Sequence, residues 1–170
     1  MTSVDVLVEA YGRLPDLVHA AVEGLDADQL SVRPAGSANS IAWLVWHLSR
    51  VEDNHFAEAF GHEEVWTANG YADRWHLALE PGDTGYGHSS EQVDAVRVES
   101  TQQLLDYFDA VHGRARSLLS GLDDQELEKV VDENWDPPVT LLARLVSVID
   151  DAVQHAGQAG FARGIILERA

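Results

Sequence analysis

The chain has 170 residues, 45% of them apolar, with five Trp and no Cys, which excludes global disorder, disulfides, Cys-ligated zinc and a protein thiol nucleophile. Any thiol chemistry must therefore use a borrowed thiol. Acidic residues number 29 against 11 basic, a formal net charge of -18 that repels nucleic-acid phosphates and anionic lipid, so neither is an expected partner.

The length suits a single domain, 1–170, with a substantial core. Ser3 reads as the cap of a first helix in which Leu7, Tyr11, Leu14, Leu17, Ala21 and Leu25 recur at roughly helical spacing, with Pro15 as a kink. Gly24 is a stop signal, and Asp26 with Gln29 reads as a capping box for a short helical turn. After a polar loop over 31–38, a second helix starts at Asn39 or Ser40, runs through IAWLVWHLSRVEDNHFAEAF and ends at Gly61. Ile41, Leu44, Leu48 and Val51 form its core stripe. His47 stands on the flank of that stripe, where it can point inward without displacing packing residues.

From Gly61 to His88, Trp66, Tyr71, Trp75, Tyr86 and three His lie among many Gly and Asp residues. This composition suits neither a regular helix nor a solvated linker, and long aromatic loops tend to cover pockets. The plainer reading, rings packing over the bundle end, stands beside it. A capping box at Ser89 and Gln92 opens a third helix running to about Leu119 and burying Val93, Val96, Leu104, Tyr107, Val111 and Leu118. GLDDQEL at 121–127 then echoes GLDADQL at 24–30. Each is followed by a loop and by an apolar helix opening at a hydroxyl residue, Thr140 or Ser40, as in a duplicated two-helix unit. Pro137 and Pro138 mark the start of the fourth helix. Four long helices with no alternating strand pattern define an all-α, four-helix bundle with a long aromatic loop between helices 2 and 3.

On the fourth helix Leu145, Val148, Ala152, His155, Ala159 and Ala162 follow one another at spacings of three and four, so His155 sits on an apolar stripe. Asp151 lies one turn earlier, and residues so placed have Cβ atoms about 5 to 6 Å apart. The plain reading is a hydrogen-bonded pair that keeps a core-facing histidine satisfied. Packed helices lie about 8 to 10 Å apart, so a histidine from helix 2 can join the pair around a cation with ~2 Å bonds. A set of two His and one carboxylate leaves coordination positions open, as catalytic sites do, and suits Zn, Fe, Ni or Mn. Spacing alone leaves His47 and His55 as alternatives. They stand about 12 Å apart along the helix, so both cannot bind one ion. His62, His76 and His88 carry no spacing signal and read as solvated or packed loop residues.

The segments SIAWLVWHLSRVED and DDAVQHAGQAGFARG resemble the two signature regions of the DinB-like superfamily of metal-binding four-helix bundles, with a likeness in helix order over nearly the whole chain. The resemblance implies that His47, in its WHL context, is the helix-2 ligand beside Asp151 and His155. Many members carry His-xxx-His on the fourth helix. Here Asp151 takes the first place, which resembles the carboxylate-bearing set of the mycothiol-dependent maleylpyruvate isomerase branch. The opening VDVLVEAYGRL, the loop TGYGHSSEQV and the run HAGQ are most similar to actinobacterial thiol S-transferases that use mycothiol.

That likeness implies a divalent metal ion, Zn first with Ni, Fe or Mn as alternatives, and mycothiol as thiol cosubstrate. The implied activity is conjugation of that thiol to an electrophilic small molecule for detoxification, with no catalytic residue beyond the metal ligands. Arg163, two turns beyond His155, is the candidate contact for an anionic group of the cofactor, against a plainer role as a solvated cation favoured by the helix dipole. Two alternatives stand beside this reading. One is a non-catalytic, divalent-metal-binding stress-response protein working through its bundle surface as a homodimer; the other is a mycothiol-dependent isomerase. The opening MTSVDVLVEAYG has no basic region followed by an apolar core, and no apolar run approaches the ~20 residues of a bilayer span. A cytoplasmic location is the expectation.

Overall fold

The computed structural model describes residues 1–169 and shows the expected all-α bundle. In chain order it has α1 (Ser3–Gly12), α2 (Leu14–Val22), α3 (Ala27–Ser31), α4 (Ile41–Phe60), α5 (Val65–Ala68), α6 (Tyr71–Trp75), α7 (Ser90–Ala95) and α8 (Thr101–Leu119). A 3₁₀ turn at Glu126–Glu128, the short strands β1 (Val130–Asp132) and β2 (Val139–Thr140), and α9 (Leu141–Arg169) follow. The pair α1 and α2 makes one rod; α4, α8 and α9 are the other three. No described helix is long and apolar enough to cross a membrane.

Side-chain oxygens set the helix starts by accepting backbone amides that have no partner within the helix. Thr2, one residue before the expected Ser3, caps α1 in a reciprocal box with Asp5. The first rod breaks at Arg13 rather than bending, and Pro15 occupies the first turn of α2, where its missing amide is harmless. The break resets the register, so Val18 is buried and Leu17 faces solvent. Asp26 and Gln29 form the expected box. Ser40 Oγ accepts the Trp43 amide at 3.1 Å, and Gly61, in the left-handed region at φ 69, ends α4.

The expected third helix is divided. α7 ends at Ala95, and an extended link follows in which Val96 and Val98 are both buried. Residues two apart on an extended chain share a face, and the apolar/polar alternation of Val96, Arg97, Val98 and Glu99 follows that period. Ser100 restarts the helix by accepting the Gln103 amide. Pro137 and Pro138 likewise do not open the last helix. They lie in the turn between β1 and β2, antiparallel strands that pair Val130 with Thr140 and Asp132 with Val139. β-branched Val139 and Thr140 complete the ladder, and Thr140 Oγ1 accepts the Ala143 amide to start α9 at Leu141. The loop from Gly61 to His88 also contains two short helical turns, α5 and α6.

The seam between α4 and α9 positions the site. Ala152, Ala156, Ala159 and Ala162 are buried on α9, while α4 buries Trp43, Trp46 and Leu48. Small residues on one rod let the large rings of the other approach, which brings the polar side chains of the seam within reach of one another.

Candidate metal centre

His47 on α4 meets Asp151 and His155 on α9. Each offers one ligand atom, and these atoms all lie within 4.8 Å of one another; among the described residues this is the one such group of His, Asp, Glu or Cys. The His47 and His155 rings are 4.7 Å apart at 66°. Small side-chain rotations suffice to bring the three onto one cation with ~2 Å bonds.

Hydrogen bonds to Nδ1 decide which ring nitrogens are free. His47 Nδ1–H donates to the Thr84 carbonyl, and His155 Nδ1–H donates to the Asp151 carbonyl at 2.8 Å. Both rings therefore present an Nε2 lone pair, the orientation that outer partners impose on metal-binding histidines. The Asp151 carboxylate is 3.4 Å from His155 Nδ1, but that N–H already serves the backbone carbonyl. Asp151 Oδ2 is left buried without a hydrogen-bond partner. An unmet buried acceptor costs about 1–3 kcal/mol, more for a charged group, and a cation is what this oxygen lacks. The residues fit a divalent metal ion.

The electrostatics agree with ligand roles. Burial pushes His47 below its ordinary pKa, outweighing the Thr84 hydrogen bond. Burial also acts to lower His155, yet the carboxylate and carbonyl of Asp151 outweigh it and raise this group. For Asp151 burial acts upward, and the neighbouring histidines, His155 foremost, hold the carboxyl below its usual range. Near neutral pH the centre thus combines an uncharged His47 with an ionised Asp151.

A latched loop holds His47 in place. Trp43 stacks on its ring at 4.5 Å and 16°. On the other side Gly85, at φ 94, approaches so closely that a Cβ there would meet Trp43 and Trp46 at 3.1 Å as well as the imidazole. Asp83 accepts the Gly85 amide at 2.8 Å and pairs with His88 Nε2 at 2.8 Å. His88 Nδ1 accepts the Trp43 indole N–H at 3.0 Å. Fully buried Arg50 donates Nε to the Asp83 carbonyl at 3.1 Å and Nη2 to the Pro81 carbonyl at 3.4 Å. Its Nη1 pairs with Glu64 at 2.7 Å. Asp53 accepts the Val65 and Trp66 amides and the Tyr107 hydroxyl, tying α5 to α4 and α8. Sequence reasoning did not single out Arg50, Asp53, Thr84 or Gly85. The available signal was an Arg and an Asp at i,i+3 on the helix that carries His47.

Other expected residues lie elsewhere. Arg163 donates Nε to the Ala20 carbonyl at 3.0 Å and Nη2 to the Glu23 carbonyl at 2.6 Å; it closes the end of α2 and is not gathered into the cluster. His55 is half-buried, with Glu58 at 3.8 Å; it lines the same cleft as His47 and Asp151 but is not one of the three-residue group. His62 and His76 are exposed, while His88 is packed. Three of the loop aromatics follow the plainer reading: Trp66, Tyr71 and Trp75 pack on Tyr107 with ring separations of 4.9, 5.0 and 5.9 Å. Only Tyr86 of the four reaches the cleft of about 520 Å³ that opens before His47 and Asp151. Val51, Val148 and, from the β1–β2 turn, Trp135 share that cleft.

A helical bundle whose second and last long rods bring two imidazoles and a carboxylate together beside a cleft is of the DinB-like class. Within it, the family model described as Mycothiol-S-transferase matches residues 7–167, and the chain belongs to that family. Among solved structures, the crystal structure of a "conserved protein of locus" from Enterococcus faecalis is similar with a TM-score of 0.92 and 29% sequence identity, covering 99% of each chain. No curated protein matches the chain.

Proposed function

We propose that this protein is a metal-dependent thiol S-transferase that joins mycothiol to an electrophilic small molecule, acting as a single domain in the cytoplasm, where thiols are kept reduced. The observation that carries the reading is that ligand atoms of His47, Asp151 and His155 lie within 4.8 Å of one another, with Asp151 Oδ2 lacking a hydrogen-bond partner, where His47 and Asp151 line a cleft. His47, Asp151 and His155 would hold the ion, with Zn the first candidate for this donor set. A bound divalent ion supplies stabilisation of thiolate over thiol at neutral pH. With no Cys in the chain, the sulfur comes from the cosubstrate. Thr84 and the Asp151 carbonyl hold the two imidazoles in the tautomer that leaves Nε2 free. The latched 81–85 segment covers one side of the centre and limits water there.

The test combines metal-free protein, zinc, mycothiol and a chromogenic electrophile. Conjugate formation that requires both protein and metal is expected. Its absence with mycothiol and with other small thiols would favour a non-catalytic metal-binding protein.

A further inference from the structure

The last helix is apolar on two sides. One side is the buried alanine seam; on the other, Val146, Val153, Phe161 and Leu167 are 49%, 43%, 74% and 45% exposed. A helix packed on a core needs one apolar face, and a second one calls for cover from outside. The largest of these side chains marks where. Phe161 stands at the edge of a hollow of about 410 Å³ between α9 and the segment leading into α4, walled by Ala35, Ala38, Leu44 and Ile165. None of the side chains that line it is charged.

Charge and shape both favour a second copy of this chain as the cover. The chain carries -18, so two copies repel over most of their surface and meet with least repulsion where side chains are uncharged. A two-fold axis beside Phe161 exchanges Gly157 with Ile165 and lays the two rings together, so the patch meets its own image, as an isologous interface requires. Backbone approach is open there: a Cβ at Gly157, Gly160 or Gly164 would meet no described atom within 4 Å. Glycine inside a helix weakens it relative to alanine, and contact with a second backbone is what offsets that loss. From Val153 to Leu167 α9 runs about 21 Å, and helix and neighbouring segment together are about 20 Å across, a patch of about 400 Å² in flat projection. Apolar patches of this size commonly mark a binding face. It is below the ~800 Å² that each partner of a standard interface buries, so the pair should come apart on dilution.

We infer that this protein forms a reversible, antiparallel homodimer through the C-terminal half of α9, with each Phe161 ring covering the hollow of the other copy. Asp151 and His155 lie on the inner side of the same helix, so the metal centre keeps its cleft in the pair. The inference holds whether or not that centre turns over a thiol.

Sedimentation velocity on the full chain, from about 1 to about 200 μM, should show monomer giving way to dimer. Added sodium chloride should strengthen the pair, because salt screens the repulsion between two acidic chains and the contact itself is uncharged. Phe161→Ala should raise the dimer dissociation constant by about tenfold or more, and Phe161→Asp should leave monomer at every concentration. Phe161 is exposed, so the helical circular dichroism spectrum should be unchanged in both. Gly157→Ala gives effects of opposite sign: the thermal midpoint of the dilute monomer should rise, while the dimer dissociation constant should rise by about tenfold. A monomer throughout the range, a dimer that Phe161→Ala and Gly157→Ala leave unchanged, or one that salt dissociates overturns the inference. A monomer that binds neutral phosphatidylcholine vesicles, and loses that binding in Phe161→Ala, overturns it as well and gives the face to a lipid surface.

Discussion

Gly85 lies against His47 so closely that an added Cβ would stand 2.7 Å from the imidazole Nδ1. The same nitrogen donates to the carbonyl of Thr84, the residue before it, so the loop both orients the ring and fills the space beside it. Gly85→Ala would have to move the ring or the loop, and its φ of 94 strains any residue with a Cβ by about 1–3 kcal/mol. Metal affinity should fall by about 10- to 100-fold, as for lost outer partners of metal-binding histidines, with helical content retained. Competition against a chromophoric chelator reads this; an unchanged affinity would show that the loop does not set the imidazole.

Two histidine replacements separate the alternatives on α4 and test α9. His155→Ala should abolish stoichiometric metal binding and leave the helical circular dichroism spectrum intact. His55→Ala should leave metal content unchanged, because His55 stands outside the three-residue group. Elemental analysis of both purified variants decides the matter, and a loss of metal in His55→Ala would move the centre down the helix.

In the metal-free protein His155 should titrate above 6.5 and His47 below it. The raised group, His155, contributes stability that is fully present below its unfolded-state pKa and fades as pH rises through the folded value. His47 is lowered, so it withdraws stability as pH falls from about 6.5 towards its folded value. Asp151 is lowered too, and its contribution is lost only in acid, as pH falls through a value below 3.8. Because protons compete with the ion for His155, metal affinity should climb as pH rises through that group's titration. NMR of the imidazole resonances gives the order, and finding His47 above His155 would contradict this account of the seam.

Arg50 is entirely buried and faces Glu64 and Asp53. Arg50→Ala strands those carboxylates and frees the Asp83 and Pro81 carbonyls, so it should destabilise the fold by about 3–5 kcal/mol. Urea unfolding measures the loss, and hydrogen exchange at the Gly85 amide, held by Asp83, should accelerate with it. A variant as stable as the parent would mean that the latch carries no net energy.

The sequence by itself determined whatever depends on neighbours a few residues apart. Helix faces, the capping boxes at Asp26 and Ser89, the stop at Gly61, and the placing of Asp151 one turn from His155 all follow from periods and local hydrogen bonds. Resemblance, rather than spacing, favoured His47 over His55. Only the tertiary structure decided what surrounds that histidine, because the contacts run across the chain: Thr84 is 37 residues from His47, and Arg50 reaches forward 33 residues to Asp83. Local pattern was also outweighed where packing favoured extended chain, at Val96 to Ser100 and in the β1–β2 turn that carries Trp135 to the cleft. Periodicity specifies which face of a helix is apolar, whereas the loop that meets that face is chosen by buried charges and close backbone approach, which leave almost no trace in local spacing.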